Sequence, residues 1–428
     1  MRRLAGLFYL ALLALCLFAG VLARVAARMG QVLAGPSQDM GRVWRGISNP
    51  RSLFPGKDRI VVLLVGQDYN RTREGIAYTK RSRADTIMLL GVDLENRRIS
   101  ACSVPRDTLV RAPDGVSGKI NGTFARGGIE LLEQTLQDLL GIAPDYYVVI
   151  KPSAVRTIVD AVGGVRVESI DEMRYDDSWG GLHINLPKGP MFLNGEQAEG
   201  FVRFREVNRF RIDERGRRIP LRGVRPSKEE GDIRRTARQQ QMVGALIAAA
   251  NTPANWLKLD AIIDVGFSQV ETNMDRTQLL ALASLFRGQK GLSLASATLT
   301  GRGETRYGAY YYIVDPETAR DSARWLVLGD EEAGRRLLVV RVDNASGVRG
   351  LARRLASELE RLGYRTEVGG TVDPQPTTSV TYETAAVEAL AESLKREIGV
   401  GTLAKSAEPG DDPTLVRVVL GQDAAGRI

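Results

Sequence analysis

Four short stretches of this sequence set arginine and aspartate where a fold ordinarily needs neither. "RSRADT" carries Arg83 and Asp85 at the head of an apolar run, and "SVPRDT" carries Arg106 and Asp107 directly after one. "FVRFR" closes a helical pattern of small and apolar residues with Arg203 and Arg205, and "GDIRRTARQQQ" brings Asp232, Arg235 and Arg238. Taken singly, each has an ordinary explanation. An Arg–Asp pair at a strand end is often a surface salt bridge of little energetic weight. Asp232 reads as an N-cap, and Arg203 and Arg205 read as side chains that lay their stems along apolar surface. Four such clusters in one domain ask for a shared chemistry. Guanidinium forks match phosphate oxygens bidentately. Two or three aspartates among them can hold a divalent cation through oxygen, or one can take a proton from an attacking hydroxyl. The set suits phosphoryl or phosphoglycosyl transfer rather than acyl transfer.

Other chemistries find little support. The single histidine, His183, excludes a multi-histidine zinc site and argues against a histidine-based triad. The two cysteines, Cys16 and Cys102, fall in an apolar run and a buried-strand pattern, so no disulfide framework is expected. Neither a GxxxxGK[ST] loop nor a dinucleotide fingerprint is present. The chain has 428 residues, 43% hydrophobic and 26% charged, which is globular composition with room for two or three domains. Nearly all of its +8 net charge is concentrated: residues 201–238 hold thirteen Lys and Arg against six Asp and Glu. A focused positive patch attracts phosphate, nucleic acid or anionic lipid, although a solvated basic loop has the same composition.

The elements that must position these residues alternate. "RIVVLLVG" (59–66) reads as a buried strand, and "DTIMLLGVDLENRRISACSVPRD" as strand, turn at Glu95 and Asn96, strand. Residues 127–141 show helical spacing at Ile129, Leu132, Leu136, Leu139 and Leu140, closed by Gly141. Further strands are expected at 146–150 and in "VRVES", with helices in "SAVRTIVDAVGG", "GEQAEGFVRFR", 233–250 and near 275–287. The pattern predicts a layered α/β or α+β domain over 58–290. A connector follows at 291–335, and a small separate α/β domain at 336–428, with no acid–base cluster and no nucleotide loop, reads as a binding or scaffolding module.

Residues 4–23 carry no charge and are long enough to span a bilayer. Arg2 and Arg3 precede them, and the run is long for a signal peptide, so 1–28 is expected to be an uncleaved transmembrane anchor and 29–57 a linker. The bulk of the chain then lies outside the cytoplasm, which argues against nucleic acid as the partner of the basic segment.

Taken in order, "LLVGQD", "RADTIMLLGVD", "SVPRDTLV", "KINGTFARGG", "DYYVVI", "IVDAVGGVRV", "LNGEQAEGFVRFR" and "GDIRRTARQQQ" resemble the LytR–CpsA–Psr family over 58–290, and the last ninety or so residues resemble the C-terminal domain of some members. The resemblance implies an α-β-α layered fold with a central mixed sheet. It implies transfer of a glycopolymer from an undecaprenyl-pyrophosphate carrier to peptidoglycan or another cell-envelope acceptor, with magnesium as cofactor and an apolar groove for the polyprenyl tail. By the same resemblance, Arg83, Arg106, Arg203, Arg205, Arg235 and Arg238 grip the pyrophosphate. Asp85 and Asp107 bind the metal or position the head group, Asp232 is the candidate base or else orients Arg235, and Lys119, Asn121 and Gln239 border the substrate. A pyrophosphate at the start of the 233–250 helix would also explain its early arginines, because the dipole and the free N–H groups there favour an anion. Two departures stand out. The stretch between Arg205 and Asp232 is long and arginine-rich, as a lid or acceptor-binding loop would be. Glu199 and Gly200 also replace the apolar or small residues usual in the family, which touches the packing of that helix. The rival readings are a polyprenyl-pyrophosphate hydrolase, which uses water as acceptor, a non-enzymatic envelope-binding or scaffolding protein, and a membrane-anchored transcription attenuator, for which no helix-turn-helix pattern is seen.

Overall fold

The computed structural model of the chain describes residues 41, 45, 46, 48–68, 70, 71, 77–170, 172–177, 182–204, 210–212, 218–220, 228–256, 258–286, 294–306, 308–383, 387–406 and 414–427. The expected anchor (1–28), most of the linker, and Arg205 lie outside them. Among the described residues no helix is long and apolar enough to cross a membrane. The contacts divide the chain into two compact units. One takes Asp93–Arg98, Tyr146–Ser293 and the described part of Met1–Ile60; the other takes Val61–Val92, Ile99–Asp145 and Leu294–Ile428.

In the second unit, the apolar β-branched runs form strands, as their composition dictates. Arg59–Gln67, Ala84–Asp93, Arg98–Ser103 and Leu294–Thr298 lie in that order, the last running parallel to Arg98–Ser103. The helix Asn121–Leu140 buries Ile129, Leu132, Leu136 and Leu140 and ends at Gly141 in the left-handed conformation. Its expected start at residue 127 is instead a kink: Gly127 and Gly128 leave helical geometry, and a preceding turn extends the element back to Asn121. Residues 291–335, read from the sequence as a connector, contain the strand Leu294–Thr298, the hairpin Gly301–Arg306 with Ala309–Val314, and the helix Pro316–Ala323. The chain passes from there through a π-helical turn, Arg324–Leu328.

That turn locks onto the strands. Ser100 Oγ donates to the Leu326 carbonyl, and a Cβ on Gly91 would sit 2.2 Å from the Val327 carbonyl oxygen. Only glycine permits so close a backbone approach. Beyond it, residues 338–424 form a two-layer domain: a five-stranded mixed sheet in the order Arg365–Thr371, Val339–Asn344, Leu415–Leu420, Ser379–Tyr382, Thr402–Lys405. Helices Leu351–Arg361 and Glu388–Ile398 share one apolar core with Val340, Val342, Val380, Val416 and Val418 of the sheet.

In the first unit, Tyr146–Ile150 pairs antiparallel with Val270–Thr272. The helices Pro152–Ala161 and Gly195–Arg203 pack together. Their core, with Val159, Phe201 and Phe204, takes in Met242 of the long helix Lys228–Ala250. Asn255 Nδ2 donates to the Val162 and Ala249 carbonyls at 2.8 and 2.9 Å, closing the end of that helix.

Replacing Gly91 by alanine forces the strand and the turn apart. We expect Gly91→Ala to destabilise the protein by about 1–3 kcal/mol, the usual range for overpacking, and to lower the thermal midpoint measured by circular dichroism by about 2–4 °C per kcal/mol. An unchanged midpoint would mean that the turn yields without cost.

Candidate functional site

In the second unit the first two charged clusters meet. Val104 N–H donates to the Ile87 carbonyl at 2.9 Å, so the end of one strand lies beside the start of the other. Residues 105–108 then turn tightly, with Thr108 Oγ1 donating to the Pro105 carbonyl at 2.6 Å. The turn aims Arg106 and Asp107 back toward Asp85. Arg106 Nη1 donates to Asp85 Oδ1 at 2.7 Å, and Arg106 Nε lies 3.8 Å from Asp107 Oδ2. The hairpin Leu109–Arg111 with Ser117–Lys119 folds the chain back on itself with Lys119 opposite Leu109. That return puts Lys119 Nζ 2.8 Å from Asp107 Oδ1. Asn121, buried at the head of its helix, donates its backbone N–H to the Arg106 carbonyl at 3.1 Å.

Four buried or half-buried charges, Asp85, Arg106, Asp107 and Lys119, therefore form one chain that cancels to zero among the described residues. Pairing at partial burial strengthens each ion pair relative to the surface. It also means that an entering anion needs further positive charge. The donor set fits magnesium chemically: two hard carboxylates, with the remaining positions open to phosphate oxygens and water, as that cation prefers. No group of three or more His, Cys, Asp or Glu side chains converges as a cage among the described residues.

A hairpin that carries no motif of its own borders this cluster. The Tyr312 N–H donates to the Asp107 carbonyl at 2.9 Å, and Lys119 Nζ lies 5.8 Å from the Tyr311 ring centroid and 6.0 Å from that of Tyr310. The hairpin in the supposed connector thus borders the site. The available signal was "GAYYYIV", three tyrosines in a strand-forming run. Arg83, one residue before the strand Ala84–Asp93, is exposed, and among the described residues it makes no ion pair. Cys102 is no nucleophile: it is fully buried, and burial pushes its thiol up to about 12.

In the first unit the other two clusters have their own geometry. The helix Gly195–Arg203 opens with a capping box between Asn194 and Gln197. Gly195 sits against the Arg156 carbonyl and Asp160, where a Cβ would lie 2.2 Å from the former. Glu199, buried, accepts from Arg203 Nη1 at 2.9 Å and from Arg156 Nε at 3.2 Å. The unusual Glu199 is thus the anchor of Arg203, and Gly200 leaves room for Ile184. Arg156 was not singled out from the sequence, because its partner lies 43 residues away.

The helix carrying Arg235 and Arg238 begins at Lys228, not at 233. This corrects two expectations. Asp232 is inside the helix and does not cap it, and Arg235 lies about two turns in, beyond the free N–H groups of the terminus. The dipole therefore does not account for an anion beside Arg235 or Arg238. Both are nonetheless buried, at 2% and 7% exposure, and share a face with Met242. Arg238 Nη2 donates to the Phe204 carbonyl at 2.5 Å, and its guanidinium carbon lies 5.4 Å from the Phe204 ring centroid. Arg238 therefore fixes the point where the chain leaves the helix of Arg203. Gln239, beside it in sequence, is half-buried.

The sequence model of the LytR_cpsA_psr family matches residues 46–216 and 221–324. A second, described as LytR cell envelope-related transcriptional attenuator, matches residues 338–423. The chain is 28% identical to the polyisoprenyl-teichoic acid–peptidoglycan teichoic acid transferase TagU of Oceanobacillus iheyensis over 271 residues, 62% of this chain and 74% of that one. It is 28% identical to TagV of Bacillus subtilis, a transferase of the same name, over 52% of this chain and 53% of that one. The crystal structure of B. subtilis TagV superposes with a TM-score of 0.50 at 25% identity, covering 63% of this chain and 98% of that one, so the mixed α/β fold is shared.

Arg238→Ala leaves the Phe204 carbonyl without its donor in a buried position. We expect a loss of about 1–3 kcal/mol, read as a lower midpoint in urea unfolding. Arg238→Lys should recover only part of it, because the ammonium cannot reproduce the guanidinium geometry. Wild-type stability in Arg238→Ala would remove this structural role.

Proposed function

Because the chain belongs to the LytR–CpsA–Psr family, whose pattern covers more than half of it, we propose that it is a glycopolymer phosphotransferase of the cell envelope. Its donor is a glycan carried on undecaprenyl pyrophosphate, and its acceptor is a hydroxyl of peptidoglycan or another envelope polymer. Residues 4–23 anchor it in the membrane with the bulk of the chain on the outer side. The observation that carries this reading is the neutral chain of Asp85, Arg106, Asp107 and Lys119, placed on motifs of this family.

In the proposed step an acceptor hydroxyl oxygen attacks the phosphorus next to the glycan. A new P–O bond forms there, and the bond from that phosphorus to the bridging oxygen breaks. Polyprenyl monophosphate leaves with the electron pair, and the hydroxyl proton passes to a base, for which Asp232 is the candidate. The product is a phosphodiester between glycan and acceptor. Arg106 supplies a fixed, charge-assisted donor to the pyrophosphate oxygens, preorganised by Asp85 and so not needing to reorient during reaction. Lys119 adds a second cation, held by Asp107. Asp85 and Asp107 are the residues that would hold a magnesium ion, which supplies charge neutralisation to the pyrophosphate when bound. The family resemblance adds Arg83, Arg203, Arg205, Arg235 and Arg238 as expected phosphate-binding residues, and Asn121 and Gln239 as expected substrate-binding ones.

The test is label transfer by the purified full-length chain from a polyprenyl-pyrophosphate-linked glycan to peptidoglycan fragments. We expect Arg106→Ala to lower kcat/KM by roughly a hundredfold or more, as for loss of a preorganised donor. Chelation of divalent cations should stop transfer, and added magnesium should restore it. Full activity in Arg106→Ala would overturn the assignment. Full activity in chelator would remove the metal from it. Hydrolysis of the donor without labelled acceptor would favour the hydrolase.

A further inference from the structure

The sheet of the C-terminal domain is covered by its two helices on one face only. On the other face the register places Arg341 directly opposite Arg417, and Arg417 opposite Thr381. Two like charges facing each other across neighbouring strands repel. What holds them is Asp343, two residues along the same strand face and only 1% exposed. Its Oδ2 accepts from Arg417 Nε at 2.6 Å, its Oδ1 lies 3.8 Å from Arg341 Nε, and Oδ1 also accepts from the Gly370 N–H at 2.9 Å. A carboxylate so deeply buried is a fixed support. Arg417 is held through Nε, Arg341 lies beside the same carboxylate, and both side chains stay about half exposed, at 47% and 49%. They line a groove of about 330 Å³ together with Thr381, Glu383, Ser406 and Leu415.

We propose that this groove is a second binding site, separate from the transfer chemistry, for a saccharide bearing a single acidic group. Asp343 and Glu383 together balance the two guanidiniums, so the ligand's acid is met by their fork geometry and not by a surplus of charge. The Thr381 hydroxyl donates to the Arg417 carbonyl at 3.4 Å and keeps its acceptor lone pairs toward the groove's polar lining, which Ser406 and Glu383 share. The Glu383 carboxylate in the same groove disfavours an extended polyanion, so the site selects one acid among hydroxyls rather than a run of phosphates. The acid is a carboxylate or a phosphate monoester, which share this fork chemistry.

The experiment is calorimetric titration of the full-length chain in detergent with three probes: N-acetylmuramic acid, N-acetylglucosamine 1-phosphate and neutral N-acetylglucosamine. Saturable binding of either acidic sugar, with the neutral sugar at least about tenfold weaker, supports the site. Binding of the first alone assigns a carboxylate ligand, of the second alone a phosphate. Arg341→Gln should weaken that binding about tenfold or more. This substitution keeps the close Arg417–Asp343 pair and hence the fold, which an unchanged thermal midpoint verifies. Thr381→Val provides a second, uncharged probe of the groove and should also weaken binding. Equal binding of the neutral sugar, unaltered binding in both variants, or no binding of any probe would overturn the proposal.

Discussion

The structure around the candidate site depends on charge balance in a partly dehydrated place. Arg106 stands between Asp85 and Asp107, and Lys119 closes the chain on the second carboxylate. Ions held this far from bulk water cost free energy unless each has a partner. Removing any one leaves a neighbour exposed to that cost. The local backbone serves the arrangement: the turn after Pro105 aims the side chains, the short hairpin returns Lys119, and the Tyr312 N–H holds the Asp107 carbonyl. Because these four charges cancel among the described residues, the anionic substrate proposed above would have to arrive with, or meet, additional positive charge. In the proposed mechanism further arginines supply it, or a divalent cation that Asp85 and Asp107 would hold.

A second solution to the same problem holds the arginines of the other unit. Arg203 is moored by the buried Glu199, and Arg238 is spent on the Phe204 carbonyl and ring. Arg238 is thus at least partly a structural residue, and its loss is expected to act through stability as well as through any contact with substrate. The same logic recurs in the C-terminal domain, where one buried aspartate orients two arginines. Buried carboxylates that aim guanidiniums are a repeated device of this chain.

Much of this was legible in the sequence where the signal was local. Periodicity placed the buried residues of the helix ending at Gly141, and β-branched runs placed the strands that carry Asp85 and Arg106. Motif order placed the family. What escaped was set by distant partners or by backbone choices with no strong local mark. Glu199 looked like a departure until Arg156 and Arg203 were seen on its two oxygens. The start of the long helix is ambiguous in the sequence because "SKEEGD" offers several acceptable first-turn residues, and the helix begins at Lys228. That shift removed the dipole explanation for the early arginines. The tyrosine hairpin has no local mark of its place, because its position beside Lys119 rests on pairing between residues about 200 positions apart.

The most direct test of the central claim follows one atom. A donor is prepared with labelled phosphorus next to the glycan, and the full-length chain is given magnesium and peptidoglycan fragments. The account predicts that the label stays with the glycan, becomes linked to the acceptor, and leaves behind unlabelled polyprenyl monophosphate. Label released into water as free glycan phosphate or inorganic phosphate, with none in the acceptor, would contradict it.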